Sequence, residues 1–223
     1  FIDGTVLEPG FELDELCAPI IALKRYVDES GDETILAEDY IQRGVKRILT
    51  ILEQTKHPRI ELYETFLQPT DDMHIHKYLT YNNVLVWRIL TDLHELFGYQ
   101  LADQANRVKN AIYEHCTKQH EGKPVFAWSV DLTGQWDMYD EPPGSLLLLP
   151  WYGFCDPKED VYRNTVAMIK DFRYEYSFSS KPIAELGCAH APHPWVLSIC
   201  NSLLSGDREQ ALLHLRRTRL DNG

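Results

Sequence analysis

A chain of 223 residues with 44% hydrophobic and 25% charged side chains has the make-up of one globular domain, large enough to bury a sizeable core. Its formal net charge of −12 argues against a nucleic-acid partner, which needs clustered Lys and Arg. No apolar run approaches the roughly 18 residues of a membrane-spanning helix, so no membrane partner is expected. Five cysteines, odd in number and without a Cys-x-x-Cys pair, fit reduced thiols in a cytoplasmic protein.

Residues 1–10 read as loop or short strand. Leu13, Leu16, Ile20, Leu23 and Val27 recur at three- and four-residue steps, which predicts a mostly apolar helix over 11–27 ended by Ser30-Gly31-Asp32. A second helix is expected over 37–55. It is amphipathic, with Tyr40, Val45, Ile48, Leu49 and Leu52 on one face and Arg43, Lys46, Arg47 and Glu53 on the other. Residues 60–67 alternate as a strand would, and Gln68-Pro69-Thr70-Asp71-Asp72 is a loop. An apolar helix follows over 82–96, capped by Gly98, and then an amphipathic one over 101–118.

Residues 123–131 alternate as a strand that runs into an unusual turn. Asp131, Asp137, Asp140 and Glu141 stand there with Trp136 and Tyr139, ahead of Pro142-Pro143-Gly144. A structural turn needs Gly and Pro but not Trp beside acids, whereas a sugar site stacks a ring on an aromatic and gives its hydroxyls to carboxylates. Residues 145–152 then read as a short buried helix and 157–171 as a polar-faced one. A loop through Gly187-Cys188-Ala189-His190-Ala191-Pro192-His193 leads to a last pair, apolar over 194–204 and amphipathic over 207–220.

The order is thus apolar helix, amphipathic helix, acid-and-aromatic loop, repeated about four times. Such hairpins bury their faces only by stacking on neighbours. Apolar helices inside and amphipathic ones outside give a double ring, with short β-hairpins and long loops at one rim; an open α-solenoid is the alternative. That rim would gather Glu12 and Asp14 from the first hairpin, Asp71, Asp72 and Asn82-Asn83 from the second, Trp136, Asp137, Tyr139, Asp140 and Glu141 from the third, and Glu185, His190, His193 and Trp195 from the fourth. Each cluster has a plainer meaning: acids suit helix N-termini, and Asn82 suits an N-cap. Convergence of all four favours a carbohydrate pocket in which one desolvated carboxylic acid serves as general acid. His74-x-His76 and His190-x-x-His193 lack a third ligand at convincing spacing, so no metal is expected. No phosphate-loop, dinucleotide or nucleophile-elbow motif suggests a cofactor.

Several segments in order, Glu12-Leu13-Asp14-Glu15-Leu16-Cys17-Ala18-Pro19, Phe66-Leu67-Gln68-Pro69-Thr70-Asp71-Asp72, Tyr81-Asn82-Asn83, Met138-Tyr139-Asp140-Glu141-Pro142-Pro143-Gly144-Ser145, Pro150-Trp151-Tyr152-Gly153 and Gly187-Cys188-Ala189-His190, resemble the six-hairpin glycosidases. The resemblance is strongest to glycoside hydrolase family 125, the metal-independent exo-α-1,6-mannosidases. It implies an all-α (α/α)6 barrel, here a single domain truncated at both ends, that acts on an oligosaccharide or glycoside substrate with inversion and without a cofactor. It further implies that Asp14 is the acid, that Asp71, Asp72, Asn83, Asp140 and His190 line the terminal-sugar subsite, and that the base lies beyond residue 223. Glu12, Trp136 and Glu141 join the subsite from the rim argument. Tyr139-Asp140-Glu141 stands where the family tends to carry adjacent Asp residues, which leaves another α-linked hexose open beside mannose. A non-catalytic sugar-binding toroid and a His-pair epimerase using His190 and His193 are the rivals from other classes.

Overall fold

A computed structural model describes residues 10–218; the segment at 1–9 and the last residues of the chain, with the Asp221-Asn222-Gly223 turn, lie outside it. Helix α1 spans Leu13–Ser30 and α2 Asp39–Thr55, separated by a 3₁₀ turn at Thr34–Ala37. Gly31 ends α1 in the left-handed conformation (φ 69°) that glycine adopts without a Cβ penalty, and its N–H bonds to the Val27 carbonyl. Strand β1 (Tyr78–Leu79) leads into α3 (Thr80–Phe97), which packs side by side with α1 and against α4 (Ala102–Ala111). The last turn of α4 widens to a π-turn over Ile112–Cys116. Strands β2 (Thr117–His120) and β3 (Lys123–Phe126) form a hairpin around Glu121-Gly122, both at positive φ. Strands β4 (Ser129–Val130) and β5 (Trp136–Asp137) complete a small antiparallel sheet in the order β1-β4-β5, with Leu79 opposite Ser129 and Ser129 opposite Asp137. Helices α5 (Asp160–Ile169), α6 (Val196–Leu204) and α7 (Arg208–Arg217) follow.

The inner character of α3 is as its composition predicts: residues 80–86 are all buried, with Ile89, Leu90 and Leu93 behind them. Helix α1 buries one face only, through Leu13, Cys17, Ile20, Leu23 and Val27, and Ala18 and Pro19 lie exposed. Helix α2 turns Val45 and Leu52 inward, but Tyr40, assigned to the same face, is exposed. The core closes over Trp128, whose indole N–H donates to Gln68 Oε1 at 3.3 Å.

Three expectations are corrected. Residues 60–67 form no strand; single bridges, Lys56 to Tyr63 and Leu67 to Met73, replace a ladder. The helix expected over 145–152 is a 3₁₀ turn at Leu146–Leu148 followed by turns. Pro150 removes a helical donor, and so short a segment cannot offset the cost of helix nucleation. The fourth helix stops at Cys116, and residues 117–120 enter the β2–β3 hairpin.

Candidate active site

The site begins with a clamp. Asn83, fully buried in the first turn of α3, accepts from the Tyr63 N–H (2.8 Å) and donates to the Tyr63 and Leu79 carbonyls (3.0 and 2.9 Å). This fixes the 63–67 segment, whose Thr65 hydroxyl accepts from the Leu13 N–H (3.1 Å), an orphan donor at the start of α1. Phe66 and Leu67 donate their N–H groups to the Phe11 carbonyl. The N-termini of α1 and α3 are thereby held together, and with them Glu12, Asp14, Tyr81 and Asn82. Asn83 is therefore no sugar ligand. Every hydrogen bond of its amide goes to backbone, and its neighbour Asn82 faces the acid, donating to Asp14 Oδ1 at 3.1 Å.

Asp14 borders a cleft of about 300 Å³ walled by Tyr81, Trp151, Tyr152, Ile21 and Arg25. Tyr81 and Tyr152 share a hydroxyl contact of 3.1 Å, and the Arg25 guanidinium lies 4.3 Å over the Trp151 ring. Burial raises the Asp14 carboxyl to about 6, against the opposing bond from Asn82. Burial likewise pushes Glu12 upward, reinforced by Asp14 and Asp71. Asp71 holds its backbone at φ 62°, a left-handed conformation that Asp tolerates better than most side chains. Asp72 pairs with His190, Nδ1 to Oδ2 at 3.0 Å, across 118 residues of chain, both groups half-exposed. The Ala189 N–H, one residue away, donates to the Tyr139 hydroxyl at 3.0 Å.

The acid-rich turn divides its carboxylates between two tasks. Asp131 caps its own loop, accepting from the Thr133 hydroxyl and the N–H groups of Thr133, Gly134 and Gln135; the hydroxyl bond first, then the Thr133 and Gln135 N–H groups, hold it down at about 2. Asp140 is fully buried, accepting from the Ser145 hydroxyl (2.7 Å) and the Leu146 N–H (2.7 Å), while its backbone is gripped by the Tyr174 hydroxyl. Both oxygens of its carboxyl are engaged in organising the turn and the residue is fully buried, whereas the sequence expectation was a hydroxyl contact. Glu141, next in an extended backbone, points the other way. Its Oε2 accepts from the Thr70 hydroxyl (2.9 Å), and Oε1 is buried without a partner. Burial, with repulsion from Asp140, Asp14 and Asp72, raises this carboxyl to about 8. Trp136 sits away from the cleft, its ring edge-on to His120 and packed between the two apolar clusters of the core. Glu185, placed at the rim by sequence, is buried instead: it accepts from Ser198 and Ser202 and pairs with His214 at 3.0 Å, tying α6 to α7.

The structure thus gathers Glu12, Asp14, Asp71, Asp72, Glu141 and His190, and relegates Asn83, Asp140 and Trp136 to structural duty. Sequence reading missed Asn82 as the partner of Asp14, and Trp151 and Tyr152 as cleft walls. The Pro-Trp-Tyr-Gly sequence was the available signal for the latter. Among the described residues no cluster of three His, Cys, Asp or Glu side chains is arranged to hold a metal ion, and no helix is long and apolar enough to cross a membrane.

The raised acids make stability fall with pH. A carboxyl whose folded pKa exceeds its unfolded value binds more protons in the folded state, so stability is full below the unfolded value and is lost as pH climbs through the folded one. For Glu141 that window runs from its ordinary 4.5 to about 8. Glu141→Gln keeps the shape and removes the ionisation. Its melting temperature relative to wild type is expected to rise steadily between pH 5 and pH 8, values set by those two limits. A difference that stays flat with pH would show Glu141 to be freely ionised.

A family model described as metal-independent alpha-mannosidase (GH125) matches residues 57–219. The meiotically up-regulated gene 157 protein of Schizosaccharomyces pombe is 23% identical over 264 aligned positions, which cover 95% of this chain and 52% of that protein. A solved Streptococcus pneumoniae structure, from a family described as widely distributed metal-independent alpha mannosidases and captured as a non-productive complex with alpha-1,6-mannobiose, superposes with a TM-score of 0.86 at 19% identity, over 96% of this chain and 60% of that one. The chain spans about half the length of the S. pombe protein. The family match runs from the loop bearing Asp71 and Asp72, through the clamp on α3 and the Glu141 turn, to the His190 loop and α7. On that span the chain belongs to the metal-independent alpha-mannosidase family, GH125.

Proposed function

We propose that this chain is the acid-bearing part of an inverting exo-glycosidase that removes a terminal α-linked hexose, mannose foremost, on an (α/α)6 barrel. The observation that carries the reading is Asp14: a carboxyl raised to about 6, held by its own backbone N–H and by the Asn82 amide, without a cationic ion-pair partner among the described residues, at the edge of an aromatic cleft. Such a group holds its proton close to neutral pH and can pass it to a leaving glycosidic oxygen. Glu12, Asp71, Asp72, Glu141 and His190 would receive the terminal sugar's hydroxyls, and Tyr81, Trp151 and Tyr152 its apolar face. Inversion requires a second carboxylate about 6.5–9.5 Å from the first to activate water. This reading puts that base in the part of the family fold to which residues 10–218 have no counterpart.

Proton NMR of the full-length protein turning over an α-mannoside tests the proposal. The β-anomer of mannose should appear first and then mutarotate. First release of the α-anomer would contradict inversion, and saturable binding without hydrolysis would make the site a sugar-binding one.

A further inference from the structure

The two ends of the Asn82 amide have different fates. Nδ2 donates to Asp14 Oδ1 at 3.1 Å, whereas Oδ1 is buried and has no hydrogen-bond partner. Asn82 is 0% exposed and sits in the first turn of α3, while Asp14 sits in the first turn of the adjoining α1. The Asn83 clamp one residue on prevents this turn from drifting. An amide N–H can only donate, and the carbonyl oxygen of a protonated carboxyl is a better acceptor than its hydroxyl oxygen, so the bond favours Oδ1 as the bare one.

We propose that Asn82 is a positioning residue for the proton of Asp14, holding Oδ1 as the acceptor so that the acidic hydrogen resides on Oδ2. The inference rests on Asp14 being the general acid. It supplies what that reading lacks, a reason for the proton to sit on one oxygen rather than be shared between two.

The surroundings of Asp14 make the amide's part distinct. From α1 itself come Glu12, Glu15 and the Cys17 thiol, and from α3 the Tyr81 hydroxyl. The loops contribute Asp71, Glu141 and the Tyr152 hydroxyl. Burial disfavours the ionised form and the acids among them repel it, whereas the backbone N–H of Asp14 itself and, after it, the Asn82 amide stabilise it. Removing the Asn82 bond must therefore raise the acid's pKa.

The test uses Asn82→Leu and Asn82→Asp in the full-length protein, with kcat/KM for an α-mannoside followed against pH. Leu matches Asn in size and leaves no buried polar atom, so the fold is expected to survive. Its alkaline limb should move up by about one pH unit, the shift of a lost hydrogen bond to a carboxylate. kcat at the optimum should fall about 10- to 100-fold, with KM nearly unchanged, as for a group that acts on the acid and not on the bound sugar. Asn82→Asp restores a donor when protonated, so its activity should recover toward acid pH and collapse as the introduced carboxyl ionises. A purely structural Asn82 would lower the melting temperature of both variants and leave the limb in place. If Asn82→Leu fails to fold, the acid recovery of Asn82→Asp decides. Asp14→Asn separates the two levels: retained activity there overturns the general-acid reading itself. Loss of activity there, combined with wild-type pH profiles in both Asn82 variants, overturns this inference alone.

Discussion

Replacing Asp14 with Asn in the full-length protein is expected to lower kcat/KM on an unactivated α-mannoside by about 10²–10⁴-fold, the usual contribution of a positioned general acid. The substitution keeps the shape of the side chain, and Asn82 can still meet an amide oxygen there, so melting temperature and the sugar contacts on the far loops should change little. In the wild type the acid must be protonated to act. Activity should therefore decline on the alkaline side as pH rises through about 6, the value to which burial lifts Asp14, while the acid side is set by protonation of the base. The variant should lose this limb altogether. Comparable activity in Asp14→Asn and wild type would remove Asp14 from the chemistry.

Asn83→Ala is expected to be the most damaging single change to the fold of the site. It deletes one acceptor and two donations made to buried backbone, leaving the Tyr63 N–H and two carbonyls without their side-chain partner. At about 1–3 kcal/mol for each buried group left unpaired, and with partial relaxation, a loss of about 3–5 kcal/mol follows. Denaturant unfolding measures it directly. Activity should vanish together with stability, because the segment released is the one that caps Leu13 and so places Asp14. A loss below about 1 kcal/mol would mean that the clamp is replaceable by water.

What the sequence disclosed and what it hid follow from the range of the forces involved. Helices α2 and α3 are long and strongly periodic, so their apolar faces can be read off the chain, and the positions of Gly31 and Gly98 mark the ends of α1 and α3. The short stretch over 145–152 is as apolar as a helix but is decided by Pro150 and by Asp140 capping the turn, a contact between chemically ordinary residues. Strand β2, Thr-Lys-Gln-His, carries no hydrophobic alternation and exists because β3 pairs with it. At the site, polar groups brought together by the start of α1 and by the loops were legible as a class, as Asp14 on α1 and Asp72, Glu141 and His190 on loops illustrate. Individual assignments failed between neighbours. Asn82 and Asn83 lie about 100° apart around one helix, and Asp140 and Glu141 point to opposite sides of an extended backbone. Which of each pair faces the cleft is set by α1 and by the Tyr63 loop, far away in sequence. The same limit hid Glu185, whose partner His214 is 29 residues downstream.

The proposed chemistry turns on a proton moving from Asp14 to the departing oxygen, and leaving-group dependence measures that step most directly. The full-length wild type and Asp14→Asn should be compared on a series of aryl α-mannosides, from dinitrophenyl, which departs without a proton, to an unactivated alkyl mannoside. The variant should approach wild-type rates at the activated end and fall orders of magnitude behind at the other. An equal loss along the whole series would show that Asp14 binds or supports rather than donates, and would contradict the account.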